Sequence, residues 1–223
     1  MDSADLTAEA RIREAAIVLF GDRGICGTTV RAVAQAVGVS PALVIHHFES
    51  KEGLRAACDQ RVLEQLAASE SEALADPGSV NPFTQLAAMD TVIRYLNASL
   101  IEGGPGADRL FGQLCDLTAT YFTSGQMPVK DTTDLEATAA VAVAFSCGAS
   151  MLGTQIAHRL GGEDLADPTV YARYALASVE MLTHGLLADE SWLTLTRQAI
   201  AAALIADPDP PPAPEQSGHL AES

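Results

Sequence analysis

The sequence predicts an all-α fold, and three observations point to it. Apolar residues recur at helical spacing along most of the 223 residues. Long β-branched alternations and Asn-Gly turns are missing. Alanine is abundant while aromatic residues make up only 5%, which suits closely packed helices better than a β-sandwich. A chain of this length can bury a substantial core in one or two domains.

The elements follow in order. Ile12, Ala15, Ala16, Leu19 and Phe20 form a core-facing stripe for a first helix, with Thr7 as its N-cap and Gly21 or Gly24 to end it. A second helix starts at Thr28, which can cap it, and carries Val30, Val33, Ala34 and Val37 inward until Gly38. Ser40-Pro41 opens a third, with a cap followed by a proline where a missing N–H costs nothing. Ser50 caps a fourth, running to about Leu74.

"DPGSVNP", Asp76 to Pro82, is the best boundary in the chain. Helices are expected from about Pro82 to Glu102 and from Ala107 to Phe122, with "TSGQMPVKDT" as a loop. Thr133 and Glu136 form a capping box for a long helix to about Leu160. Asp167-Pro168 starts another to about Leu187, and a last one spans roughly Glu190 to Ala206. The tail "DPDPPPAPEQSGHLAES" is proline-rich and polar, and expected to be disordered.

Several function classes are disfavoured. The opening "MDSADLTAEARIREAA" has acids and no apolar core, unlike a signal peptide. The four cysteines, Cys26, Cys58, Cys115 and Cys147, are widely spaced, as expected of reduced thiols in a cytoplasmic protein. The uncharged run "ATAAVAVAFSCGASMLGTQIA" is too poor in Leu, Ile and Phe to favour a bilayer, so a buried helix is expected. Neither a Walker loop, a G-x-G-x-x-G, nor a Ser/His/Asp elbow occurs, so nothing supports an enzyme or a cofactor. His46 and His47 point about 100° apart on a helix, with no ligand at i+4 from His46, and form no metal site.

Net charge is −16, which argues against a nucleic-acid partner, yet the distribution is uneven. Between Arg11 and Arg55 there are six basic residues against four acids, so a mildly basic head joins an acidic body. Two short helices joined by a turn at Gly38 suit a helix-turn-helix, although a plain helical hairpin has the same outline. On the third helix Val44 and Phe48 share one face, with Ile45 on its flank. Ala42, Leu43 and His46 project the opposite way. Methyl groups and an imidazole suit a DNA major groove, where they can touch thymine methyls, base edges or phosphates.

"TTVRAVAQAVGVSPALVIHHFESKEGLRAA" resembles the N-terminal domain of the tetracycline-repressor (TetR) family of transcriptional regulators, over about a quarter of the chain. The match runs through Thr28-Thr29, Ala34, Gly38-Val39-Ser40, His47-Phe48, Lys51-Glu52 and Leu54. The resemblance implies an all-α homodimer with a helix-turn-helix DNA-binding domain over 1–50. Residues 51–206 would form an antiparallel helical bundle for effector binding and dimerisation, with 51–74 as the connecting helix and 207–223 as the tail. It implies that Thr28 and Ser40 anchor phosphates at helix N-termini, with Thr29 beside them. Pro41, Ala42, Leu43 and His46 would lie at the groove, and His47 and Lys51 on backbone phosphates. Ile45 stands in the same interface where many family members carry a tyrosine, so reading is expected to lean on shape and methyl contacts.

The body is expected to hold an apolar effector pocket, for a hydrophobic or aromatic small molecule, from inward-facing Met89, Tyr95, Phe111, Cys115, Tyr121, Phe122, Phe145, Met151 and Gln155. Ala144, Gly148, Ala149, Gly153 and Thr154, with the helix "YARYALASVEMLTHGLL", are expected at a two-fold interface. The sum is a ligand-responsive repressor that binds a palindromic operator as a homodimer. The alternative is a ligand-binding or interaction protein on the same scaffold without operator binding.

Overall fold

The computed structural model describes residues 3–75, 82–124, 129–130, 132–186, 193–196 and 198–199, and of residues 3–6, 73–75 and 82–87 the backbone alone. It is helical as expected: α1 (Ser3–Arg23), α2 (Val30–Val37), α3 (Pro41–Phe48), α4 (Lys51–Ala75), α5 (Pro82–Glu102), α6 (Gly104–Thr123), α7 (Leu135–Met151), α8 (Gly153–Leu160) and α9 (Pro168–His184). No strand occurs among the described residues. Of the predicted boundary Asp76–Pro82 only Pro82 is described, most of the last helix (Glu190 to Ala206) lies outside the described residues, and so does the tail from 207 on. The chain divides into two compact units, Met1–Tyr174 and Ala175–Ser223.

In the first unit, α1 buries Ile12, Ala16, Ile17 and Phe20 against α2, α4 and α5. Ala15 and Leu19 are half-buried on the edge of that stripe. The helix begins at Ser3, so Thr7 lies within it and is not its cap. It ends at Arg23, before Gly24 with φ of 76°, a left-handed conformation that glycine adopts without a Cβ penalty. Gly21 lets α1 approach α5 closely: a Cβ there would stand 3.1 Å from the Tyr95 backbone nitrogen.

The head's caps are local side-chain chemistry. Ser40 Oγ accepts the Leu43 N–H at 3.2 Å, with Pro41 in the first turn, as the sequence predicts. Gly38, with φ of 74°, closes α2, and the Val39 N–H donates to Ala34 O at 3.0 Å. Ser50 Oγ accepts the Gly53 N–H at 2.9 Å at the start of α4. The α3–α4 corner is tighter than the sequence suggests. Glu49 has φ of 65°, and the Ser50 N–H donates to Phe48 O at 2.7 Å across it, a γ-turn of the rarer, strained hand. The same Phe48 carbonyl lies where a Cβ on Gly53 would come within 2.0 Å, so Gly53 admits it.

Two predicted elements are corrected in the body. The cap of α7 is Asp134, not Thr133: its carboxylate accepts the Ala137 N–H at 2.9 Å, and it complements the positive helix N-terminus. The long helix to Leu160 breaks at Leu152, and α8 leaves α7 at 69°. Gly148, Ser150 and Gly153 flank the break, where helix propensity is low. The Ser150 hydroxyl is taken up by Cys147 O and by Asn97 Oδ1 on α5, both at 2.8 Å, and Gly153 rests on Leu165. Among the described residues no single helix is long and apolar enough to cross a membrane.

A buried polar cluster ties α4, α5 and α6 together. Tyr95, fully buried, donates its hydroxyl to Asp59 Oδ1 at 2.6 Å. The Arg55 guanidinium reaches Ser99 Oγ at 3.2 Å and stands 4.0 Å from Asp59. It lies over Gly106, where a Cβ would come within 2.5 Å of its central carbon. Burial pushes the Asp59 carboxyl up, opposed by the Tyr95 hydrogen bond and by the charges of Arg55 and Arg109. Tyr95 also tilts its ring against Phe20 of α1, with centroids 6.3 Å apart. Tyr95→Phe should therefore destabilise the fold by about 1–3 kcal/mol, since it strips a donor from a buried carboxyl. Urea denaturation with an unchanged slope and a lower midpoint is the expected result.

Candidate nucleic-acid interface

The outward face of the head is built from α3 and the turn before it. Val44 is fully buried and Phe48 nearly so, as the helical projection requires. Pro41, Ala42, Ile45 and His46 are exposed, while Leu43 and His47 are half-buried. Ile45 keeps 43% of its surface exposed, beside the buried Val44. The face bears no acid from Gly38 to Phe48, and its rings sit edge-on to each other, His46 to His47 at 5.6 Å between centroids.

Two neighbouring threonines exchange their expected roles. Thr29, exposed, is the N-cap of α2, and its Oγ1 accepts the Ala32 N–H at 3.1 Å. Thr28 is 1% exposed, and its hydroxyl faces Leu19 O and Gly24 O at 2.9 Å each. A hydroxyl turned inward onto two carbonyls cannot anchor a phosphate, so that expectation for Thr28 is corrected. The reason is the loop before it: Gly24 follows the end of α1 one turn before Thr28 and brings the threonine's hydroxyl within hydrogen-bond distance of the Leu19 and Gly24 carbonyls. Nothing in the local sequence distinguishes the two threonines, because either can cap a helix that starts one residue on.

Lys51 stands at the first position of α4 and is half-buried, with its Nζ 3.5 Å from Cys26 O in the α1–α2 loop. Arg11 binds Val37 O at 2.9 Å and so helps to close α2. Sequence reasoning missed Glu102, the last residue of α5. Its carboxylate accepts the Ile25 N–H at 2.7 Å and the Cys26 N–H at 2.5 Å. No local signal could have found it, since 76 residues separate it from Cys26.

The body places the predicted pocket residues unevenly. Met89, Phe111 and Cys115 pack against the buried core, and Phe122 and Met151 are half-buried. Tyr95 is committed to Asp59 and Tyr121 to Ala67 O at 3.2 Å, both within the core. Phe145, 37% exposed, and Gln155 face outward in the single chain, against expectation. The break at Leu152 explains Gln155, which a continuous helix would place elsewhere. The four cysteines are free thiols, and burial pushes those of Cys58, Cys115 and Cys147 up. Among the described residues no cluster could hold a metal ion.

Comparison with known proteins gives consistent matches. Residues 12–58 match the family described as bacterial regulatory proteins, tetR family, and residues 88–188 match the tetracyclin repressor-like C-terminal domain. The HTH-type transcriptional regulatory protein RaaS of Mycobacterium tuberculosis is 41% identical over 197 residues, covering 86% of this chain and 92% of that one. The HTH-type transcriptional repressor KstR2 of Rhodococcus jostii is 46% identical over 39 residues, 18% of this chain and 19% of the repressor. A crystal structure of a tetR-family transcriptional regulator from Streptomyces coelicolor has the same fold, with a TM-score of 0.52 at 17% identity over 87% of this chain and 96% of that one.

Cys26 is exposed, yet its chemistry is muted. The Glu102 carboxylate, as a hydrogen-bond acceptor and as a charge, pushes the thiol above its ordinary value, and Lys51 and Arg55 oppose it only in part. The thiolate is the nucleophile, so Cys26 in the native protein should react with iodoacetamide at neutral pH more slowly than free cysteine. Peptide mass spectrometry over a time course measures this. Faster reaction would mean that Glu102 does not govern the thiol.

Proposed function

The chain belongs to the TetR family of DNA-binding transcriptional regulators, and from that premise we propose that it is a repressor that binds a palindromic operator as a homodimer and is released by a small hydrophobic effector. The observation that supports this most is the division of α3. One face is locked into the core by Val44 and Phe48, and the other presents Pro41, Ala42, Ile45 and His46 free of acids. In this reading Ala42, Leu43, Ile45 and His46 meet base edges and thymine methyls in the major groove. Pro41 stands with them at the groove, and Thr29, Ser40, His47 and Lys51 grip the backbone on either side. Helix N-termini at α2 and α3 add amide dipoles toward phosphate.

Two half-sites need two heads. Leu176, Val179 and Leu182, each more than 60% exposed, recur at i, i+3 and i+6 on α9. On α7, Val141 is 69% exposed and Gly148 opens onto empty space, so a second helix could approach it. We assign these faces to contact with a second copy. The effector would bind among the partly buried Met89, Phe111, Cys115, Phe122 and Met151, and tilt α4, with a coupling of about 1–3 kcal/mol.

A duplex enriched from a random-sequence library by the wild-type chain supplies the test. A palindromic consensus is expected. Enrichment of no sequence would leave a ligand-binding or interaction protein on the same scaffold. On the selected duplex, Lys51→Ala and His47→Ala should weaken binding to all sequences about equally, Lys51→Ala also flattening its salt dependence, whereas Leu43→Ala and His46→Ala should change the preferred bases, with about 1–3 kcal/mol at the affected pair. For the dimer, Leu176→Glu combined with Leu182→Glu should yield monomers by light scattering; a persistent dimer would place the interface elsewhere.

A further inference from the structure

Glu102 stands at a corner that the α4-centred reading does not use. It is the last residue of α5, and Gly103 and Gly104 follow it with φ of 72° and 79°. The chain turns there from α5 into α6. Across from it lies the loop between α1 and α2, which starts at Gly24 in the left-handed region and ends at Thr29, the cap of α2. The two carboxylate oxygens take one N–H each from this loop, Ile25 at 2.7 Å and Cys26 at 2.5 Å. Both donors follow the end of α1 and are outside any helical ladder, so without Glu102 they would need water or another partner.

The loop is gripped at further points. Lys51 Nζ lies 3.5 Å from Cys26 O, and the Thr28 hydroxyl is held on Leu19 O and Gly24 O. Beyond the loop, α1 itself lies on α5, with Gly21 against the Tyr95 backbone and Arg94 paired to Asp22 at 2.5 Å. Arg94–Asp22 is exposed on both sides and adds little. The Glu102 bonds differ from it: they are bidentate and charge-assisted, and they fix backbone, not a second side chain. Partial burial works to raise the Glu102 carboxyl, but the Cys26 thiol, the Cys26 and Ile25 N–H groups and Lys51 outweigh it and hold it below the usual carboxylate range.

We infer that Glu102 is a positioning residue for DNA reading: its carboxylate pins the α1–α2 loop to the α5–α6 corner, and thereby sets where α2 and α3 stand relative to the body. The inference rests on the operator-binding reading above. It adds a second connection between body and head, through α5, in parallel with α4. Any displacement of the α5–α6 corner then reaches the cap of α2 through two hydrogen bonds.

The test uses the full-length chain with Glu102→Gln and Glu102→Asp. The first replaces one acceptor oxygen by an N–H₂ that faces a donor. The second keeps the charge but shortens the reach by one methylene. Amide hydrogen exchange without DNA should speed up at Ile25 and Cys26 in both variants, while the α1 core amides stay protected. On the duplex selected by the wild-type chain, both variants should bind about tenfold more weakly. Unchanged exchange at Ile25 and Cys26 would overturn the pinning. Wild-type affinity in Glu102→Asp would show that charge and not position matters, and would overturn it as well. If Glu102→Gln fails to fold, Glu102→Asp decides by both readouts. Failure of the wild-type chain to select any duplex would sink the operator reading instead, and the exchange measurement would still decide what Glu102 holds.

Discussion

A tyrosine hydroxyl and a carboxyl sharing a hydrogen bond in a dry site is a demanding arrangement, because each group loses its water and has only its few protein partners in return. Tyr95 and Asp59 make that bond at 2.6 Å, and much of the first unit is arranged to permit it. Arg55 comes near enough to balance the carboxyl because Gly106 leaves room for its guanidinium. Phe20 packs its ring on Tyr95 because Gly21 lets α1 close on α5. Head, connecting helix and body therefore meet around a polar centre set in a largely apolar core. Such a centre need not add net stability over a hydrophobic filling, and its hydrogen bonds form only when α4 and α5 stand in this arrangement.

That dependence on one arrangement would suit a regulator whose proposed DNA-reading surface is apolar. The outward face of α3 has neither Arg nor Lys, so in the proposed reading it would forgo the bidentate guanine contacts that carry much of the specificity of other readers. Methyl contacts discriminate only when held at van der Waals distance, since dispersion falls away within an ångström. Affinity would then have to come from the flanking phosphate contacts, and specificity from how rigidly the face is presented. The caps at Thr29 and Ser40 and the carboxylate of Glu102 all act on that rigidity.

The head was almost fully legible in the sequence because its structure is local. Gly38, Ser40 and Pro41 announce a turn and a cap by chemistry that acts within four residues, and the inward pair Val44 and Phe48 follows from helical geometry alone. The choice between Thr28 and Thr29 was not legible, since it turns on where the Thr28 hydroxyl finds carbonyls from the preceding helix. Farther along, the local signal fades. The helix from 135 was visible in its apolar run, but its break at Leu152 depends on what Ser150 and Gly153 touch on other elements. The contacts of Glu102, Asp59 and Asn97 join residues dozens of positions apart, and a single sequence read by itself carries no trace of them. Pocket candidates suffered most, because a large apolar residue gives the same signal whether it fills a core, lines a cavity or faces outward as Phe145 does.

The γ-turn at Glu49 gives the corner between α3 and α4 a mechanical character. A loop of several residues would act as a soft joint and absorb small rotations of the helix behind it. Here only Glu49 and Ser50 separate the two helices, Glu49 in a strained conformation, and the Phe48 carbonyl is seated against Gly53, so the corner has little slack to absorb a rotation. The two helices behave as a bent rod. Eight residues of α3 reach about 12 Å from the bend, so a rotation of α4 by a few degrees sweeps the far end of α3 through a good part of an ångström. If the methyl groups of that face read bases as proposed, that sweep is comparable to the whole range over which such a contact survives.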